Sequence, residues 1–157
     1  MAETKTIVGA DGPYNWRPGY SAHERATDFP LQVEGEQRGA KLLIVGFPRA
    51  KELKFRLSIC FNAAICRLDY TDEYHPNSLH APAGLPPFVQ GPHYHSWPLN
   101  RQFFRGTLTP PDLHLAEPFT NPARTFDAIL RWFCADTKIV GLPPDHLIEL
   151  PKSDLLI

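Results

Sequence analysis

The sequence predicts an α+β fold in which an antiparallel sheet of four to six strands packs one face against a single amphipathic C-terminal helix. Residues 53–62 alternate apolar and polar side chains, as a strand with one buried face does. Residues 126–134 instead place apolar side chains at helical spacing. Because each segment presents one apolar face, we expect these two faces to meet in the core.

The remaining strands follow from the same alternation and from the turn residues between segments. Residues 31–34 and 41–47 are expected to form a hairpin. Residues 64–70 are expected to pair antiparallel with the strand at 53–62, through a tight turn. Residues 93–97 follow a long polar loop and are interpreted as a strand that returns to the sheet.

The predicted helix covers about residues 122–138. Asn121 is a natural N-cap, and Pro122 is a natural first helical residue. Gly141 and Pro143 are typical of the chain just beyond a helix end. The apolar stripe of this helix consists of Phe126, Ile129, Leu130, Phe133 and Cys134.

Length and composition are those of one domain: 157 residues with a formal net charge of −1. Turn residues dominate residues 1–30, which predicts an irregular N-terminal segment before a single α+β domain at 31–157. Three cysteines, an odd number, argue against a disulfide framework and for a reducing compartment. No secretory signal pattern and no membrane-length apolar run is present, so we expect a cytoplasmic location.

Titratable side chains concentrate in one part of the sequence. Four of the seven histidines lie between positions 75 and 95, and Asp69 precedes them. These histidines are His75, His80, His93 and His95. The last two are separated by one residue, so on a strand both rings point to the same side. If residues 64–70 pair with this strand, Asp69 and Arg67 would lie beside the rings.

A metal site is one interpretation of this cluster. Three imidazole nitrogens and one carboxylate form a donor set that suits a divalent transition metal such as zinc, iron or manganese. The predicted ligands are Asp69, His75, His93 and His95. A cupin-type metal barrel is disfavoured, because positions 98–100 hold Pro98, Leu99 and Asn100 where its glutamate is expected.

Metal-independent acid–base catalysis is a second interpretation. In an endoribonuclease-like reaction, His93 and His95 would act as general base and general acid, and Arg67 would hold the phosphate. The net charge does not favour a nucleic-acid partner, since such proteins usually present a basic surface. A local basic patch remains open, and its candidates are Lys51, Lys54, Arg56, Arg101 and Arg105.

The order of three short motifs resembles a family of small bacterial and phage-associated proteins of unassigned function. The motifs are Arg67-Leu68-Asp69, then His75-Pro76-Asn77, then Gly91-Pro92-His93-Tyr94-His95, followed by the amphipathic helix. The resemblance covers roughly residues 53–142. It implies a common site built from Asp69, His75, His93 and His95, and it implies no reaction.

A non-enzymatic role is the third interpretation: a protein-binding module or inhibitor from a mobile-element or host–phage conflict setting. Large aromatic side chains are enriched at the centres of protein interfaces. The candidates here are Tyr14, Trp16, Tyr74, Trp97, Phe103 and Phe104. The sequence therefore predicts a site without deciding between an enzyme and a binding protein.

Overall fold

The computed structural model describes residues 2–77, 81–104, 113–145 and 148–152. The fold is mixed α+β, as predicted, and consists mostly of strands. The strands are β1 (Lys5–Ile7), β2 (Arg17–Pro18), β3 (Arg25–Val33), β4 (Glu36–Gly46), β5 (Phe55–Phe61), β6 (Ala63–Tyr70), β7 (Tyr74–Pro76), β8 (Phe88–Gln90), β9 (His93–His95), β10 (Glu117–Pro118) and β11 (Ile139–Val140). The α-helices are α1 (Trp97–Asn100) and α2 (Phe126–Asp136).

The main sheet has nine strands, so the predicted four to six was wrong. Its order is β10-β9-β6-β5-β4-β3-β1-β11, with β2 paired to β3, while β7 and β8 form a separate hairpin. All pairs in the main sheet are antiparallel except β1 with β11. The additional strands β1, β2, β10 and β11 are two or three residues long, which is too short to leave a periodic pattern.

The N-terminal 30 residues, which we predicted to be irregular, supply strands to this sheet. Lys5 and Thr6 pair with β11, and Thr6 and Ile7 pair with β3. Strand β3 itself begins at Arg25. The turn residues that dominate this stretch connect the strands and do not replace them. These residues therefore belong to the sheet that carries the core.

Helix α2 is shorter than predicted, and its start lies four residues later. Thr125 is the N-cap, and its hydroxyl accepts a hydrogen bond from the Ala128 backbone N–H at 3.3 Å. Asn121 instead accepts from the Ala123 N–H at 2.9 Å and closes a turn before the helix. The predicted stripe is confirmed, because all five of its residues are buried: Phe126, Ile129, Leu130, Phe133 and Cys134.

The two faces of the sheet have opposite character. On one face Phe55 and Leu57 are fully buried, and the ring of Phe55 meets Phe126 of α2 edge to face at 4.9 Å between centroids. On the other face Arg56 lies opposite Asp69 of β6. The alternation predicted for residues 53–62 thus separates an apolar face, covered by α2, from a polar face.

Candidate metal centre

The pairing of β6 with β9 assembles the middle of the polar face. Asp69 lies opposite His93, and Arg67 lies opposite His95. Residues directly opposite each other in an antiparallel pair project to the same side of the sheet. The predicted return of residues 93–97 to the sheet is confirmed for His93–His95, and it brings both imidazoles to the acid.

Asp69 is the buried anion at the centre of this arrangement. Its side chain is 1 % exposed. Its Oδ2 atom accepts a hydrogen bond from Arg67 Nε at 2.7 Å. The same oxygen lies 3.3 Å from Nε2 of His93 and 3.3 Å from Nε2 of His95. One carboxylate oxygen therefore faces two imidazole nitrogens and a guanidinium.

Main-chain carbonyls fix the proton on each of these two rings. Nδ1 of His93 lies 2.7 Å from the Gly91 carbonyl oxygen, and Nδ1 of His95 lies 3.0 Å from that of Leu115. A carbonyl only accepts, so Nδ1 carries the proton in both rings. In each neutral ring Nε2 is then the atom with the lone pair, and it points at Asp69.

Two lone pairs aimed at a carboxylate oxygen repel it unless a cation lies between them. Burial would lower the pKa of His93, but its contact with Asp69 outweighs this and raises the pKa. Burial lowers the pKa of His95, and Arg67 Nη2, at 3.3 Å from its Nε2, donates to the neutral ring. A proton or a metal ion would each meet the same electrostatic need.

The carboxyl group itself is strongly ionised. Burial alone would raise the pKa of Asp69. The contacts from His93 and His95 and the charge of Arg67 outweigh burial and hold this pKa well below its usual range. The centre thus keeps a permanent negative charge among nitrogen donors.

A third imidazole reaches the centre from the β7–β8 hairpin. His75 is half-buried, and its ring centroid is 5.5 Å from that of His93 and 4.6 Å from that of His95. Its Nε2 lies 3.1 Å from the His114 carbonyl oxygen, so Nε2 is protonated and Nδ1 holds the lone pair. All three histidines therefore donate one N–H to the main chain, and the second nitrogens of His93 and His95 face Asp69.

The spacing of the donors fits a metal ion. One ligand atom from each of His75, His93 and His95 lies within 4.8 Å of the others. Ligands bonded to tetrahedral zinc at about 2.0–2.1 Å stand about 3.3 Å apart. The separation of 3.3 Å between Asp69 Oδ2 and each neighbouring Nε2 equals that spacing. Asp69 does not belong to the three-histidine group, so it is placed either as a further ligand or directly beside the ligands.

The carbonyls that orient His75 and His95 belong to a segment clamped by two asparagines. Asn77 donates to the Ala116 carbonyl at 2.9 Å and accepts from the Ala116 N–H at 2.8 Å. Asn100 makes the same pair of bonds with Leu115, at 2.8 and 2.9 Å. Each amide thereby holds the main chain by both of its hydrogen-bonding groups. These are positioning residues, and sequence reasoning missed the role of Asn100.

Arg56 links the centre to its surroundings. Its Nε atom is 3.0 Å from Asp69 Oδ1, and its other nitrogens reach Glu24 at 3.3 Å and Glu73 at 2.8 Å. Oδ1 of Asp69 is buried and receives no aligned hydrogen bond within the described part of the chain. One arginine thus shares its charge among three acids on the polar face.

Two members of the basic patch that the sequence left open are paired with acids. Its candidates were Lys51, Lys54, Arg56, Arg101 and Arg105. Lys54 forms an ion pair with Asp72 at 2.9 Å. Arg56 forms ion pairs with Glu24, Asp69 and Glu73. Arg105, like His80 of the histidine group, lies outside the described residues. Two of the five candidate cations, Lys54 and Arg56, are therefore neutralised by neighbouring acids.

The predicted interface aromatics are mostly packed within the chain. Tyr14 contacts Phe29, and Trp97 contacts Phe104. Tyr74 is the exception, since it is 57 % exposed and its ring stacks on an exposed neighbour from β8. Tyr74 and Phe88 on the β7–β8 hairpin thus form an exposed aromatic pair, which is the feature that a protein-binding role would use.

Comparison with known proteins leaves the site to be interpreted from its own chemistry. No family model, curated protein or solved structure matches this chain. The resemblance to small phage-associated proteins therefore stays a prediction. Among the described residues, no helix has the length and apolar character needed to cross a membrane.

Proposed function

We propose that this protein binds one divalent transition metal ion through His75, His93 and His95, with Asp69 completing or supporting the donor set. The observation that carries the proposal is the arrangement of tautomers. Each ring donates one N–H to a main-chain carbonyl, and one possible ligand atom from each ring lies within 4.8 Å of the others. Metal-binding histidines are held in this way, since the second hydrogen bond fixes the ring and the ligating atom.

The ion would fasten the β7–β8 hairpin to the main sheet. His75 comes from the hairpin, whereas His93 and His95 come from β9 of the sheet. The two sheet ligands are 2 % and 0 % exposed. Ligands buried to this degree suit an ion that stabilises structure, because a substrate needs an open coordination position. Nitrogen donors with one carboxylate favour zinc over calcium or magnesium.

The acid–base alternative has one observation in its favour and one against it. The raised pKa of His93 beside Asp69 is what a general acid requires. The burial of His93 and His95 counts against it, because a ribose hydroxyl must come within about 3.2 Å of the catalytic nitrogen. Metal binding therefore explains the geometry better.

The test is zinc binding by the full chain purified without a histidine tag. We expect one zinc ion per chain by metal analysis and by calorimetric titration, with iron(II) and manganese(II) titrated in parallel. The double variant H93A/H95A should lose the ion. The matched control is His23→Ala, which removes an exposed histidine outside the cluster and should retain it.

Folding of each variant is checked by circular dichroism and urea unfolding. A single His75→Ala variant provides the second arm, because it removes a ligand while the buried pair remains. Equal zinc affinity in wild type, H93A/H95A and H75A would refute the proposal. RNA cleavage that persists in EDTA and disappears in H93A would instead support the acid–base alternative.

A further inference from the structure

A second candidate site lies in a groove that the histidine centre does not use. The groove has a volume of about 290 Å³, and Trp16, His23, Arg25, Arg49 and Lys152 are among its lining residues. Its remaining lining residues are alanine and proline, so no acidic side chain contributes to the wall. This composition is unusual in a chain with a net charge of −1.

Within the part of the chain that the structure describes, the three strong cations of this groove have no ion-pair partner. Arg25, Arg49 and Lys152 make no ion pair within the described residues, and the only side-chain hydrogen bond among them runs from Arg25 to the Glu24 carbonyl. Seven cations elsewhere pair with acids: Arg17, Arg38, Lys41, Lys54, Arg56, Arg67 and Arg131. Other described cations without an ion pair do not line this groove: Lys5, Lys51, Arg101, Arg124 and Lys138. Three unmatched positive charges facing one hollow would be relieved by a bound anion.

Trp16 adds an aromatic surface to the same wall. It packs partly against the hydrophobic core while it lines the groove. An indole held in this way offers a stacking partner to a planar ring, and such stacking contributes to base recognition without sequence preference. Arginine side chains meanwhile match the geometry of phosphate oxygens.

We infer that this groove binds a mononucleotide, with the base on Trp16 and the phosphate between Arg25, Arg49 and Lys152. The volume admits one nucleotide and excludes a longer segment from the hollow itself. The inference does not depend on the metal centre, because none of these lining residues belongs to the histidine cluster.

The experiment is calorimetric titration of the full-length protein with adenosine monophosphate, adenosine and inorganic phosphate. We expect the nucleotide to bind at least tenfold more tightly than either of its parts. The R25Q/R49Q double variant should weaken binding by about tenfold or more, since charged hydrogen bonds to phosphate are lost. The control R124Q removes a cation outside the groove and should leave affinity unchanged.

A Trp16→Leu variant tests the aromatic surface separately, and a Trp16→Phe variant should retain most of the affinity. Absence of nucleotide binding at millimolar concentration would overturn the inference. Equal affinities for phosphate and nucleotide would overturn the role of Trp16. If a single-stranded oligonucleotide several nucleotides long binds more tightly than the mononucleotide, the inference of a mononucleotide site is overturned in favour of a nucleic-acid-binding surface.

Discussion

The two faces of the main sheet are stabilised by different interactions: burial of apolar side chains on one face and pairing of buried charges on the other. The face under α2 consists of apolar side chains, for example the fully buried Phe55 and Leu57. Its contribution to stability grows with the apolar area that is removed from water. The opposite face holds Asp69 with its cations and imidazoles, and depends on each charge keeping its partner. A substitution on the first face leaves a cavity, whereas one on the second leaves a buried group unpaired.

Phe55→Ala should give the largest effect, because it empties the middle of the apolar face. Phe55 stacks on Tyr70 at 5.0 Å and meets Phe126 at 4.9 Å. We expect the free energy of unfolding in urea to fall by about 3–5 kcal/mol. Phe55→Leu, which refills part of the space, should cost clearly less. Equal costs for the two variants would mean that this face is not close-packed.

Asp69→Asn should give the next largest effect and tests the polar face. The substitution keeps the shape but removes the charge that balances Arg56 and Arg67, so we expect a loss of about 2–4 kcal/mol, also measured in urea. Zinc affinity should fall about 10–100-fold, as for other groups that support metal ligands. The control is Asp127→Asn, whose carboxylate pairs with Arg131 on the helix and should cost below about 1 kcal/mol. Similar costs for both variants would contradict the difference between the faces.

Asn100→Ala should cost about 2 kcal/mol, because it leaves the buried N–H of Leu115 without its side-chain acceptor, whereas the Leu115 carbonyl keeps the N–H of His95. Asn100→Asp keeps an acceptor for that N–H and should recover part of the loss. The exposed Gln102→Ala serves as a neutral control. If zinc affinity stays unchanged in Asn100→Ala, the clamp does not position His95.

Asp28→Asn should give the smallest effect, and one that depends on pH. Asp28 lies on the polar face, where burial would raise its pKa but Lys41 and Arg17 outweigh this and lower it. A lowered pKa adds stability above the ordinary value of about 3.9, and this contribution is lost as the pH falls below that value. The two proteins should differ by less than about 1 kcal/mol at neutral pH, and the difference should shrink as the pH falls through the lowered pKa of Asp28. A difference that grows on acidification would contradict the ion pairs.

Sequence periodicity was sufficient for the apolar face. The alternation in residues 53–62 and the stripe at 126–134 identified β5 and α2, since both patterns record directly which side is buried. The convergence of Asp69, His93 and His95 was also predictable, because strand alternation and one correct pairing determine it. The start of α2 was misplaced because both Asn121 and Thr125 can cap a helix.

The support around the histidines could not be predicted in the same way. Asn77 and Asn100 form hydrogen bonds with backbone groups of Ala116 and Leu115. Every residue type other than proline offers the same backbone N–H and carbonyl, so the sequence does not show which residue an asparagine will bind. The parallel pairing of β1 with β11 joins segments more than 130 residues apart, through two residue pairs only. Such contacts depend on the tertiary arrangement and not on local pattern.

The positions of the site residues along the chain set the time at which the centre forms during translation. Asp69 leaves the ribosome first, His75, His93 and His95 follow, and the carbonyls that orient His75 and His95 come last, at 114 and 115. A nascent chain that ends before these two carbonyls leaves His75 and His95 without the main-chain acceptors that orient their rings. The proposed ion site would therefore be completed late in biosynthesis, after residues 114 and 115 have been made.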